Sequence, residues 1–456
     1  MTSENGSAGK KPLCAEPWRN LYIGNSGVYQ PCCHIQFQTE KPCGSRDELL
    51  DIYNSSELVD LRQQLASHNV TNEECRGCLA GARSNASYTK DIGFEGVSSS
   101  YKDARQKAEE SFSRGETHVE HLPLLLTVYL SYRCNIRCVM CSQALVRDKS
   151  MFRDYPTEAL QDIFDEVGNG ELPFLNLVGG EPMYSRDGIA LLEYFGESED
   201  LNTQLGVTTN GTLFRRHRDL LSKISQANFS VSIDGFGDSY NYIRDGASWD
   251  ELIENLDLLQ GITEQNPKVA VAEILSIVMA SSICDLPELI RFFTARGEKI
   301  RFLECDGPFY LENCFVYPSL LVGMPWQQTL AEAIEVAEEL ELTQIITKLE
   351  QIQERLLDTF ENPSMEIFMA EIHRVKDLFS RKTATWKIGG RKKVRHLEAA
   401  SLVKIAGQFV AWLDQVNVNH DYLSSEQHTG LRERVLSVGR ELVVAPENSL
   451  LPIIRS

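Results

Sequence analysis

Twelve cysteines stand in the 456-residue chain, at positions 14, 32, 33, 43, 75, 78, 134, 138, 141, 284, 305 and 314, and two groups of them are spaced to hold metal. Cys134-x3-Cys138-x2-Cys141 lies in LSYRCNIRCVMCSQ. At this cysteine frequency such a triad arises by chance with a probability on the order of 0.01. Three thiolates on one short loop can hold three irons of a cubane and leave the fourth open. Zinc would want four protein ligands, or three and a water, and neither a matched CxxC pair nor a histidine lies nearby. Structural zinc or unligated thiols are the bland alternatives for the triad. The second group is Cys14, Cys32, Cys75 and Cys78, the last two in a CRGC turn after ELVDLRQQL. A CxxC pair with two separated cysteines also suits a zinc ribbon, although the usual second CxxC pair is lacking. Cys33 could replace Cys32 and Cys43 could be a fifth thiol, whereas His34 reads as a surface or packing residue.

These residues must be positioned by regular elements. Six short apolar runs, at 122–131, 174–180, 203–209, 229–234, 269–279 and 299–305, alternate with amphipathic segments at 157–167, 188–195, 219–225, 249–259 and 286–295. Strand and helix alternating at this spacing predict a parallel sheet with crossover helices, and six units predict an α/β fold that is a full or partial (β/α)6 barrel. In such barrels chemistry sits at the C-terminal strand ends, and the cysteine triad occupies the first of these loops. Upstream, Asn54 and Ser55 are N-cap candidates for a helix over 55–65, and 101–120 reads as a solvated helix and linker. Downstream, 327–358 and 397–416 have helical periodicity. The stretch 374–395 gathers nine Lys and Arg against one Asp and reads as a solvated basic loop, or as a contact for phosphate or an acidic peptide.

CNIRCVMC resembles the cluster loop of the radical S-adenosylmethionine (SAM) superfamily, and later strand ends match in order. Gly179-Gly180-Glu181-Pro182 resembles that family's GGEP motif, which binds the methionine amino group. TTNG, including Thr209 and Asn210, closes the third strand, and SIDG, including Ser232 and Asp234, closes the fourth, where relatives contact SAM. Met140 replaces a frequent aromatic residue and can pack near adenine. MASS at 279–282 stands where many relatives have an Asn. The resemblance covers about 121–310. It implies that Cys134, Cys138 and Cys141 bind a [4Fe–4S] cluster whose open iron chelates SAM, and that a 5′-deoxyadenosyl radical abstracts a substrate hydrogen. CAEPWRNLYIGNSGVYQPCC with the CRGC pair resembles the SPASM or shorter twitch module. A strand–turn–strand around Ser26-Gly27 would bring Cys14 and Cys32 together, and Cys14, Cys32, Cys75 and Cys78 would hold an auxiliary [4Fe–4S] cluster.

The expected division is an auxiliary-cluster domain at 1–92, a charged linker or helix at 93–120, the barrel at 121–320 and a mostly helical region at 321–456. The expected activity is radical modification of a peptide or natural product, with an electron donor such as ferredoxin or flavodoxin. Radical oxidation of a sugar or aminocyclitol alcohol is the second reading, and a noncatalytic zinc or iron–sulfur interaction protein the third. The closed auxiliary cluster would suit removal of a second electron. Cys305 and Cys284 are candidate hydrogen-atom donors, against a bland reading as buried hydrophobes. Glu304, Asp306 and Tyr310 are candidate substrate contacts. The polar opening MTSENGSAGKK has no signal-peptide core, so a reducing cytoplasmic setting is expected. The net charge of −20 weighs against nucleic acid, and no apolar run reaches the roughly 18 residues that read as a membrane span.

Overall fold

A computed structural model of the chain describes residues 11–24, 27–32, 34–39, 43–79, 99–141, 143, 153–167, 171–197, 203–305, 307, 309–381, 383–388, 391–396, 399–420 and 422–444. Cys33 and Asp306 lie outside the described residues. The N-terminal region forms an antiparallel meander of β1 (Asn20–Gly24), β2 (Val28–Cys32) and β3 (Ile35–Gln38). Helices α1 (Arg46–Tyr53), α2 (Ser56–Ser67), α3 (Glu73–Leu79) and α4 (Ser99–Arg114) follow. Ser55 caps α2 as expected, its hydroxyl accepting from Leu58 N, while Ser45 caps the unanticipated α1 by accepting from Glu48 N.

The six expected barrel strands are β4 (Leu125–Tyr129), β5 (Phe174–Val178), β6 (Gln204–Thr209), β7 (Ala227–Ser232), β8 (Val269–Val278) and β9 (Ile300–Glu304). Between them run α5 (Thr157–Glu166), α6 (Arg186–Glu197), α7 (Arg218–Leu221), α8 (Asp238–Ile243), α9 (Trp249–Gln265) and α10 (Leu286–Ala295). The sheet order is β3-β2-β1-β4-β5-β6-β7-β8-β9, with β4 to β9 in sequence order as a partial (β/α)6 barrel requires. β1 pairs in parallel with β4 over five registered residues, Asn20 with Leu125 through Gly24 with Tyr129.

Two compact units divide the chain. The first comprises Met1–Asn135, Asp148–Val231 and Glu254–Val271; the second comprises Ile136–Arg147, Ser232–Ile253 and Ala272–Ser456. In the first, Leu126, Val128, Leu175, Leu177, Leu205, Val207, Phe229 and Val231 are fully buried on alternate strand positions. Each contributes roughly 1.5–3 kcal/mol of apolar burial. The N-terminal helices are held by the buried Arg62, which donates to the carbonyls of Pro17, Tyr53 and Thr117 and lies 4.6 Å from the Tyr53 ring. Asn54 joins them to Val119 by a reciprocal pair of hydrogen bonds at 2.8 and 2.9 Å.

In the second unit, Trp249 packs on Phe236, Tyr240, Phe292 and Phe293 with ring centroids 4.6 to 6.3 Å apart, joining α8, α9 and α10. The C-terminal region consists of α11 (Trp326–Glu339), α12 (Thr343–Glu361), α13 (Met365–Arg381), the hairpin β10 (Thr383–Ile388) and β11 (Arg391–His396), α14 (Ala399–His420) and α15 (Ser425–Val444). The predicted helix at 327–358 is two helices, broken where Glu341 takes a φ of 57°. Among the described residues the basic stretch is not a loop: its first part continues α13, where the buried Arg374 pairs with Glu371 at 2.7 Å and donates to Ser319 and Tyr310, and residues 383–388 and 391–395 lie in β10 and β11. Among the described residues no helix is long and apolar enough to cross a membrane.

Candidate functional site

The cysteine loop leaves β4 and passes from the first unit, which holds Cys134, to the second, which holds Cys138 and Cys141. In the first unit it is docked on the exit of β5. Gly180 N donates to Ser131 O at 2.6 Å and Glu181 N to Arg133 O at 2.8 Å. A side chain at position 180 would put its Cβ 1.8 Å from Arg133 O, and Gly179 has a φ of +126°, so both glycines are required for this close approach. Glu181 is buried and caps the 3-10 turn Pro182–Tyr184 by accepting from Met183 N. Its carboxylate also accepts from Thr209 Oγ1 at 2.8 Å and from Asn210 N at 2.7 Å. The GGEP resemblance pairs this carboxylate with the methionine amino group; the end of β6 already supplies it with partners from within the protein. Asn210 Nδ2 also donates to Asn135 Oδ1 at 2.9 Å and points at Cys134 Sγ, 3.7 Å away. GGEP, TTNG and the first cysteine therefore form one hydrogen-bonded assembly.

In the second unit the loop is laced to the end of α8. Arg137 N donates to Asp245 O at 2.8 Å and Val139 N to Ile243 O at 2.9 Å. Asp234, read from the sequence as a cofactor contact, is fully buried and engaged internally, with Arg244 at 2.5 Å and with Ile277 N at 2.6 Å. Burial opposes the charge on Arg244, but the Asp234 carboxylate raises its pKa above the ordinary guanidinium value. Arg244 Nη1 lies 3.6 Å from Cys138 Sγ. Sequence reasoning missed Arg244, since a pair ten residues apart has no periodic signature. Met140 is buried and Ser232 half-buried. At the β8 exit, Glu312 is a second missed residue: it accepts from Ser281 and from Tyr242 OH at 2.5 and 2.8 Å, in the MASS region that lacks the expected Asn.

The three cysteines of the triad are half-buried and free of disulfides. Amide and guanidinium donors aimed at Cys134 and Cys138 suit thiolate ligands, so these residues fit an iron–sulfur cluster. Cys14, Cys32, Cys75 and Cys78 all belong to the first unit. Burial pushes the Cys14 and Cys75 thiols up to about 12, and neighbouring thiols add to the shift: Cys32 and Cys75 act on Cys14, and Cys32 and Cys78 on Cys75. Burial likewise raises Cys32, with Cys78 contributing. Four half-buried thiols in one unit, three of them with ionisation opposed by burial and by neighbouring thiols, suit a cationic iron–sulfur core, which would stabilise thiolate ligands. Among the described residues no three His, Cys, Asp or Glu side chains close on a single-ion site. Cys43 is buried elsewhere, its thiol directed at Ser45 O.

Strand register separates Cys32 from Cys134. Tyr22 pairs with Gln30, so continuation of the register sets Cys32 level with Asn20, which pairs with Leu125 at the start of β4. Cys134 lies beyond the other end of β4. Within the first unit Cys32 and Cys134 are thus at least a strand length apart, on the order of 15 Å along the sheet. Of the remaining candidates, Cys305 is buried at the end of β9, and Cys284 bonds to Thr329 of α11. Glu304 is held by Lys348 and Arg355 of α12, and the Tyr310 carbonyl accepts from Arg374.

Residues 128–263 match the radical SAM superfamily, and residues 14–79 match SPASM, an iron–sulfur cluster-binding domain. Similar proteins include Molybdenum cofactor biosynthesis protein 1 of Dictyostelium discoideum, 29% identical over 201 residues, covering 42% of this chain and 30% of the relative. Mycofactocin maturase MftC of Mycolicibacterium smegmatis is 26% identical over 197 residues, covering 42% of this chain and 46% of the relative. The chain thus spans less than half the length of these relatives. A solved structure, native anSMEcpe with bound AdoMet, is 19% identical with a TM-score of 0.35, covering 47% of this chain and 59% of that one. The two domain matches fall on the two cysteine groups: residues 128–263 match the radical SAM domain, whose cofactors are a [4Fe–4S] cluster and SAM, and residues 14–79, on the N-terminal side of the strands β4 to β9, match the iron–sulfur cluster-binding SPASM domain.

Proposed function

We propose that the chain is a radical SAM enzyme that modifies a peptide or natural-product precursor. In this reading Cys134, Cys138 and Cys141 hold the SAM-binding cluster, and Cys14, Cys32, Cys75 and Cys78 hold the auxiliary one. The observation that carries it is the assembly of Cys134, Gly180, Glu181, Thr209 and Asn210 at the strand exits, because it fixes the cysteine loop and a buried carboxylate in one rigid frame. When bound, the cluster and SAM supply a 5′-deoxyadenosyl radical that abstracts a substrate hydrogen atom. Gly179 and Gly180 let the loop approach β5, Glu181 presents a fixed negative charge to the methionine ammonium, and Met140 lines the adenine side. A ferredoxin- or flavodoxin-class donor supplies the electron. The peptide reading is supported by the similarity to a protein named a maturase.

The strand-length separation of Cys32 from Cys134 bears on the auxiliary cluster's part. It favours exchange of electrons at a distance over direct contact with substrate at the C-terminal strand ends, where barrel chemistry sits. Anaerobic reconstitution with iron and sulfide, followed by reductant and SAM, tests the reading. About eight irons per chain and 5′-deoxyadenosine formation are expected. Cys134→Ala abolishes cleavage, and Cys75→Ala keeps it while removing the auxiliary cluster. Two zinc ions per chain, or no cleavage under strong reductant, would contradict it.

A further inference from the structure

We propose that Arg244 is a positioning residue that sets the reduction potential of the SAM-binding cluster through the sulfur of Cys138; this rests on the cluster assignment above. The contact is fixed by backbone. Residues 137 and 139 bond to the carbonyls of 245 and 243, so Cys138 and Arg244 face each other across a two-rung ladder. Arg244 is held in turn from the far side: its Nη2 lies 2.5 Å from Asp234 Oδ2, and Asp234 Oδ1 accepts from Ile277 N of β8 at 2.6 Å. Its side chain is only 8% exposed, so solvent screens the guanidinium weakly. Nη1 then stands 3.6 Å from Cys138 Sγ.

Hydrogen bonds to ligand sulfurs, net charge and exposure are the levers that set cluster potentials. Reduction adds one negative charge to the cluster and its thiolates, so a cationic donor at a ligand sulfur stabilises the reduced state more than the oxidised one. Asn210, 3.7 Å from Cys134 Sγ, is the uncharged counterpart in the first unit. SIDG therefore acts here, through Asp234, as the anchor of a thiolate donor.

The test is an EPR-monitored redox titration of the reconstituted holoenzyme, with the auxiliary cluster as internal reference. Arg244→Gln alone would leave Asp234 buried and unpaired, so the informative variant is the neutral pair Asp234→Asn with Arg244→Gln, which keeps hydrogen-bonding groups in place. At a fixed poise the ratio of reduced to oxidised SAM-binding cluster should fall at least tenfold, equivalent to about 59 mV for one electron, with the auxiliary cluster unmoved. An unchanged potential, or equal shifts in both clusters, overturns the proposal. If the pair does not fold, Arg244→Lys carries the test: withdrawal of the planar fork should lower the potential, and no change overturns it. A wild-type chain that assembles no cluster would instead sink the functional reading itself.

Discussion

Gly180→Ala perturbs the junction on which the site depends. The added Cβ would sit 1.8 Å from Arg133 O, 2.5 Å from its carbonyl carbon and 2.8 Å from its nitrogen, all backbone atoms. Ordinary contact begins at 3.4 Å, so the loop or the β5 exit must move by about 1.6 Å. That motion strains the bonds from Gly180 N to Ser131 O and from Glu181 N to Arg133 O, each contributing about 0.5–1.5 kcal/mol, and overpacking adds about 1–3 kcal/mol. A total near 2–6 kcal/mol falls on the residue preceding Cys134. Misplacement by about 1 Å can cost about a hundredfold in rate. The assay is 5′-deoxyadenosine formation alongside iron content and circular dichroism. The expected variant keeps its secondary structure and the auxiliary cluster but loses at least about a hundredfold in cleavage. Wild-type cleavage with full iron would refute the reasoning.

Three further outcomes are expected. Arg62→Leu should destabilise the first unit by about 2–4 kcal/mol, read as a lower denaturation midpoint, because three carbonyls, two of them in buried contacts, lose their donor. Gly27→Ala should reduce iron bound by the auxiliary site while SAM cleavage persists, since Gly27 has a φ of +79° and a Cβ there would stand 2.4 Å from Thr39 O in the hairpin that carries Cys32. Burial holds the pKa of His121 below 6.5, so the unfolded chain takes up a proton there that the folded chain refuses. Stability should therefore be present above pH 6.5 and fall on acidification through that value, and His121→Gln should flatten the decline in melting temperature.

The barrel was legible because its strands and crossover helices carry periods of 2 and 3.6, and because the motifs sit at strand exits. Every expected strand from 122–131 to 299–305 has its counterpart in β4 to β9. The parallel pairing of β1 with β4 was not legible, since pairing between segments a hundred residues apart leaves no local pattern. Counting charge misread 374–395: Arg374 is buried against Glu371, one helical turn earlier, and a tally of one sign cannot register that partner. For the site, residue types were readable from motifs but partners were not. Glu181 is satisfied by Thr209 and Asn210, and Asp234 by Arg244, which only the folded backbone brings together.

The central claim is that the triad cluster has an open iron for SAM while the auxiliary cluster is closed. The most direct measurement is the EPR spectrum of reduced Cys75→Ala protein, retaining the triad cluster alone, before and after addition of SAM. A single [4Fe–4S] signal whose g-values shift on SAM addition is the predicted result. A cluster signal that SAM leaves unchanged would contradict the account.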